Sequence, residues 1–316
     1  MTPLLEAAAK GDVAAVKLLI EQKGANINEA DHNGRTALID AALNGHHEIV
    51  STLTAQDTID VNHQDTQGNS ALCWAAHNGH DAVVRILLAV EGVSTTNDGG
   101  LSPLIEAASS GHEAIVRLLL DHGVPANSRD RRGITALTTA VSGNHEAVVR
   151  LLLAQKDIRL KEDGDNICYA FVGAAWAGQE VIVRLLLAQE GVSANDTLPN
   201  GNTMLAELAV RGHEAGVRAL LAQDGLDVNC RDGDGKTPLH LAAFGRRGKF
   251  TSEKDRLGRL AVVKLLLARE DVDIEAKDND GRTPRDMAKL AYLEHDHHWW
   301  DICSEFSSRL QRDTSN

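Results

Sequence analysis

The chain has 316 residues, 43% of them hydrophobic but only 3% aromatic, and 32 basic against 45 acidic side chains leave a net charge of −13. A core for such a chain has to be built from Leu, Val, Ile and Ala, and the apolar fraction is too high for disorder over most of its length. An acidic chain of this size repels phosphate backbones, so nucleic-acid binding is not expected outside a local basic patch.

Self-similar segments begin at Thr2, Thr36, Ser70, Ser102, Thr135, Tyr169, Thr203, Thr237 and Thr283, at steps of 34, 34, 32, 33, 34, 34, 34 and 46. Such a period predicts one stacked body of about nine units, none of which buries its apolar face alone. The fourth unit shows the pattern: Ser102-Pro103-Leu104-Ile105-Glu106-Ala107-Ala108, then Gly111-His112-Glu113, then Ile115-Val116-Arg117-Leu118-Leu119-Leu120. A leading Ser or Thr caps a short first helix, with Pro at a position where its missing N–H costs nothing. The paired alanines allow close helix approach, and Gly111 ends the helix in the left-handed conformation. The second helix carries the Val and Leu triplet, and stretches such as Asp31-His32-Asn33-Gly34 turn the chain into the next unit.

These residues resemble the ankyrin repeat family, whose Thr-Pro-Leu-His-x-Ala signature stands intact at Thr237-Pro238-Leu239-His240-Leu241-Ala242. The resemblance covers about residues 2–310 and implies an all-α solenoid of helix-turn-helix units with projecting hairpin-like turns. Residues 1–282 make eight repeats with an insertion at about 246–259, and 283–316 make a divergent ninth that caps the end. It further implies that the fourth and eighth residues of each first helix face a concave side. The eighth position carries Trp176, Val210 and Phe244 in three consecutive units, an apolar stripe suited to a partner, with Trp176 the leading hot-spot candidate. His240, Trp74 and His77 are the remaining candidate contacts. The alternative for Trp176 is that it fills a gap left by Gly173 and Ala177 in a degenerate unit, whose first helix is expected to start irregularly at Cys168-Tyr169-Ala170-Phe171.

The insertion from Arg246 to Arg259 holds six basic and two acidic residues, and reads either as an arm over the groove of units six to eight or as a solvated loop. The fifth helix position, usually Leu in the family, is Glu6, Asp40, Glu106 or Glu207 in four units and Trp74 in another. Glu207 beside His240 would be a conceivable acid–base couple and supports an alternative reading as an enzyme or small-molecule binder. The i, i+4 pairs Glu6/Lys10 and Glu207/Arg211 point instead to structural charges. The histidines His46, His80, His112 and His213 recur after glycine and belong to the repeat. His295 and His298 share a helix face in a His- and Asp-rich stretch, a weak metal candidate lacking further ligands; Trp299, Cys303, Phe306 and Leu310 form an apolar stripe that reads as the end cap.

Cys73, Cys168, Cys230 and Cys303 lie far apart with no Cys-x-x-Cys pair, as expected for reduced thiols in the cytoplasm, the nucleus being the other option. No secretory signal and no run of 18 apolar residues is seen, so no membrane association is expected; Asn195-Asp196-Thr197 is read as a chance match to a glycosylation acceptor. No phosphate-binding glycine loop, nucleophile elbow or kinase motif occurs. The expectation is therefore a non-enzymatic scaffold without a cofactor, holding a protein or peptide in its groove, of open oligomeric state.

Overall fold

The computed structural model describes residues 2–22, 25–96, 102–158, 160, 166–198, 200–245, 253–295 and 300–313. Contacts group the chain into two compact units, Met1–Arg159 and Leu160–Asn316. The first holds α1 (Pro3–Lys10), α2 (Val13–Ile20), α3 (Ala37–Leu43), α4 (His47–Thr54), α5 (Ala71–Asn78), α6 (Asp81–Leu88), α7 (Pro103–Ser110), α8 (Glu113–Asp121), α9 (Ala136–Ser142) and α10 (Glu146–Leu153). The second holds α11 (Asn166–Trp176), α12 (Glu180–Leu187), α13 (Met204–Arg211), α14 (Glu214–Leu221), α15 (Pro238–Phe244), α16 (Glu253–Leu267), α17 (Pro284–His295) and α18 (Trp300–Asp313).

Within each unit the odd-numbered helices pack on one another in one row and the even-numbered helices in a second, each helix also packing on its hairpin partner. The result is an all-α helical repeat solenoid; among the described residues, extended structure is confined to isolated bridges such as Ala30 with Thr36 and Gln64 with Ser70. Sequence explains each step. Thr2, Thr36, Ser70, Ser102, Thr135, Thr203 and Thr237 each accept a backbone N–H of the helix that follows. The alanine pairs Ala41/Ala42, Ala75/Ala76 and Ala107/Ala108 are buried, as are Val83, Val84 and Leu87 of α6 and Ile115, Val116 and Leu119 of α8. Turns are closed by aspartates: Asp31 Oδ1 accepts from Asn33 N at 2.8 Å and Arg35 N at 2.9 Å while Gly34 takes φ 74°.

One device joins the repeats of the first unit. Histidine Nε2 atoms lie 3.2 Å (His46 to Ala9 O), 3.0 Å (His80 to Leu43 O), 2.9 Å (His112 to His77 O) and 3.0 Å (His145 to Ser109 O) from carbonyls at the end of the preceding first helix. Those carbonyls have no intrahelical donor, so the next repeat supplies the cap. Each ring occupies the space beside a left-handed glycine; at Gly79, φ 78°, a Cβ would come within 2.6 Å of His112 Cε1.

One expectation is corrected and one irregularity takes a definite form. The fourth residue of the first helix does not face outward: Leu5, Ile39, Cys73, Ile105, Val172, Ala206 and His240 are all buried, because the next helix of the row lies over that position. The degenerate sixth repeat starts its first helix early, at Asn166, giving α11 eleven residues where α9 has seven and α13 eight.

Candidate functional site

Among the sequence candidates, Trp74 and His77 lie together in the first unit. Trp74 Nε1–H donates to Asp65 Oδ2 at 2.8 Å, the Arg35 guanidinium carbon stands 5.1 Å from the ring centroid, and the His77 ring meets it edge-on at 6.1 Å. His77 Nδ1 is 2.9 Å from Glu106 Oε2, and Arg35 Nε is 4.0 Å from Asp65 Oδ2. Asp40 is 5% exposed and its Oδ2 has no hydrogen-bond partner among the described residues. Burial pushes its carboxyl above the ordinary aspartate range, with Arg35 pulling the other way.

Val210 and Phe244 line one cleft in the second unit, of about 560 Å³, with Met287 beside them and Asp234, Lys236, Asp280 and Arg282 from the interrepeat turns. His240 borders it but is 0% exposed. Its Nδ1 accepts from Thr237 N at 3.1 Å and lies 2.9 Å from Thr237 Oγ1, while Nε2 donates to Arg282 O at 3.0 Å. Both nitrogens are thus used within the fold, as cap and as tie to the next repeat, and burial lowers the ring's pKa so that it stays neutral. His240 therefore presents no polar atom to a partner or substrate, which corrects its assignment as a groove contact.

Glu207, the proposed companion of His240, is 4% exposed and holds Arg211, whose Nε–H donates to Glu207 Oε1 at 2.6 Å; Asn202 Nδ2 donates to Oε2 at 3.4 Å. The i, i+4 pairing read from the sequence is therefore present, as it is between Glu6 and Lys10 at 2.6 Å. The carboxylate orients an arginine rather than a catalytic histidine.

Trp176 is separated from the Val210 and Phe244 cleft. Its side chain is 47% exposed, and a Cβ on Gly173 would meet nothing within 4 Å, so the indole fills no gap in the core. The Arg211 guanidinium carbon lies 3.8 Å from the indole centroid, and the His213 ring stacks on it at 6.1 Å with an interplanar angle of 25°. Trp176 and Arg211 border a second concavity of about 640 Å³, with Leu257 and Gly258 on another side. The insertion accounts for Leu257: its described part, from Glu253, extends α16 to fifteen residues and packs on α13. The arm thus borders the Trp176 concavity, while residues 246–252 lie outside the described residues. Arg211 was not singled out as a site residue from the sequence; the signal was that Trp176 and Arg211 hold positions eight and nine of consecutive repeats, one row step apart.

Among the described residues no group of three His, Cys, Asp or Glu side chains is placed to hold a metal ion. His298 and the side chain of His295 lie outside the described residues. Cys73, Cys230 and Cys303 are free thiols, and burial pushes those of Cys230 and Cys303 up, away from the reactive thiolate. No helix among the described residues is long and apolar enough to cross a membrane.

Paired helices in two rows, tied by turn and histidine contacts at a fixed period, define a helical-repeat protein. The family is shown by sequence comparison: residues 1–65, 54–130, 72–163 and 171–251 match Ankyrin repeats (3 copies), and residues 234–279 match Ankyrin repeat. The chain belongs to the ankyrin repeat family, whose repeats are in general protein–protein interaction modules. No curated protein matches it.

Proposed function

We propose that this chain is a non-enzymatic scaffold of the cytoplasm or nucleus that holds a protein or peptide segment, not nucleic acid, against the exposed side chains of its first-helix row. The observation that carries this is the cleft of about 560 Å³ that Val210 and Phe244 line together with charged turn residues. A cleft with an apolar wall and a polar rim matches what a peptide presents: side chains to bury and a backbone to hydrogen-bond. The walls are held by capped helices and interrepeat bonds, so little order has to be created on association.

The test is affinity capture from the native cell with the intact chain and with the Val210→Ser/Phe244→Ala variant, after thermal unfolding shows the variant folded. Loss of specific partners from the variant supports the cleft. Retention of the same partners overturns it.

A further inference from the structure

The Trp176 concavity has its own chemistry, distinct from that of the Phe244 cleft. Its central element is an arginine already fixed in place. Glu207, buried, takes the Nε–H of Arg211 at 2.6 Å, and the guanidinium carbon lies over the Trp176 ring, 3.8 Å from its centroid. One edge of the fork is thus occupied and one face is covered by an indole. Among the described residues, the two Nη groups of Arg211 donate no hydrogen bond of their own, and Arg211 borders the concavity. A guanidinium with a free edge, held on both other sides, is matched in shape and charge to a carboxylate. The entropy of ordering the side chain has already been met by the fold.

Next to this fork lie two of the four large hydrophobic side chains that the described surface exposes, Trp176 at 47% and Leu257 at 50%. Between them the concavity is bordered by Ala177, Gly178 and Gly212, which leaves room for an incoming side chain. The charge balance fits the same partner. Glu214, on the same border, is paired with Arg218 at 2.6 Å, and Glu207 is bonded to the Nε–H of Arg211, which leaves the Nη groups facing the concavity.

We propose that this concavity is a docking site for an acidic-apolar peptide segment of another protein: an Asp or Glu carboxylate on the Arg211 fork, and a neighbouring Leu, Ile or Phe between Trp176 and Leu257. The proposal rests on the reading of the chain as a protein-binding scaffold and adds a second, chemically distinct surface to it. An anionic membrane is the less favoured occupant, because Arg211 lies in a concavity bordered by α11, α13 and α16 rather than on a flat face.

A phage-displayed library of random peptides, panned on the full chain, tests this directly. The expected selection is enriched in Asp or Glu close to Leu, Ile or Phe. A synthetic peptide of the selected sequence then loses about tenfold or more in affinity on Arg211→Gln, and similarly when its acid is replaced by the amide. Trp176→Ala weakens binding with little change in Tm, and Phe244→Ala leaves it unchanged. Gln retains a donor for Glu207; should thermal unfolding show that variant damaged, Arg211→Lys, which keeps the charge and loses the fork, takes its place with a smaller loss expected. Enrichment without acids, or binding lost on Phe244→Ala and kept on Arg211→Gln, overturns this site and leaves the cleft reading standing. Recovery of no peptide overturns both. Binding of phosphatidylserine vesicles that depends on Trp176 and Leu257, without peptide enrichment, overturns the proposal in favour of a membrane.

Discussion

Asp40 shows how a charged residue at a buried repeat position can carry a cost. It shares its repeat position with Glu6, Glu106 and Glu207, is almost wholly buried, and has an oxygen without a hydrogen-bond partner among the described residues. Burial raises its pKa against the partial compensation of Arg35. A carboxyl whose folded pKa lies above its unfolded value keeps its proton in the native state while the unfolded chain releases it. Stability is then complete below the unfolded value of about 3.9, falls as pH rises through the window up to the folded value, and stays reduced above it. Asp40→Asn should therefore raise Tm at neutral pH, with the gain shrinking toward zero at about pH 3.5. Calorimetry at the two pH values checks it, and a gain equal at both would show that ionisation is not the cause. Nothing in the sequence marked Asp40 as different in kind from Glu6, because exposure, not residue type, separates them: Glu6 reaches Lys10 in solvent, while Asp40 lies under the next helix. The same blindness applied to His240. Its place in the signature could be read from the sequence, whereas the burial that withdraws it from any partner could not.

At the scale of the helix, nearly everything was legible. Caps, alanine pairs, Val-Leu triplets and Asp-Gly turns each encode one local event, and a fixed period repeats the statement until chance is excluded. What the period could not supply was the direction of side chains near helix ends. Trp176, Val210 and Phe244 share a repeat position, yet Arg211 and His213 draw Trp176 into one concavity while the turn residues frame the other two in a second. Those contacts come from neighbouring repeats whose sequences have diverged, so periodicity averages them away. The helix-ending glycines are the converse case, where local and interrepeat demands coincide. Gly79→Ala combines a left-handed backbone with a collision against the His112 ring. It should destabilise by about 1–3 kcal/mol, read as a lower urea midpoint with unchanged slope.

Within each of the two compact units, contacts are local in sequence: each helix packs on its hairpin partner and on the next member of its row. Stability in such a stack is close to a sum of repeat and neighbour terms, so damage stays near its source. Leu119 is fully buried in α8, and Leu119→Ala should cost about 2–5 kcal/mol. Hydrogen exchange should then quicken in α6 to α10 and remain as in the wild type in α14 to α16. Uniform acceleration along the chain would mean that the repeats unfold as one.

The joints between repeats also determine which parts can change places. Gly11 with His46, Gly45 with His80, Gly79 with His112 and Gly111 with His145 are the same joint made four times, so the repeats between them have matching ends. The joint at Gly212 is made otherwise, against the backbone of Gly258 and Arg259, and Arg259 fills the seat that a histidine holds elsewhere. A repeat lifted from the first series meets its like at either end and can be duplicated or exchanged within that series. Among the described residues, the repeat that carries the insertion finds its matching joint at Gly212, which anchors Leu257 beside Trp176 and makes that concavity a fixed address rather than a movable part.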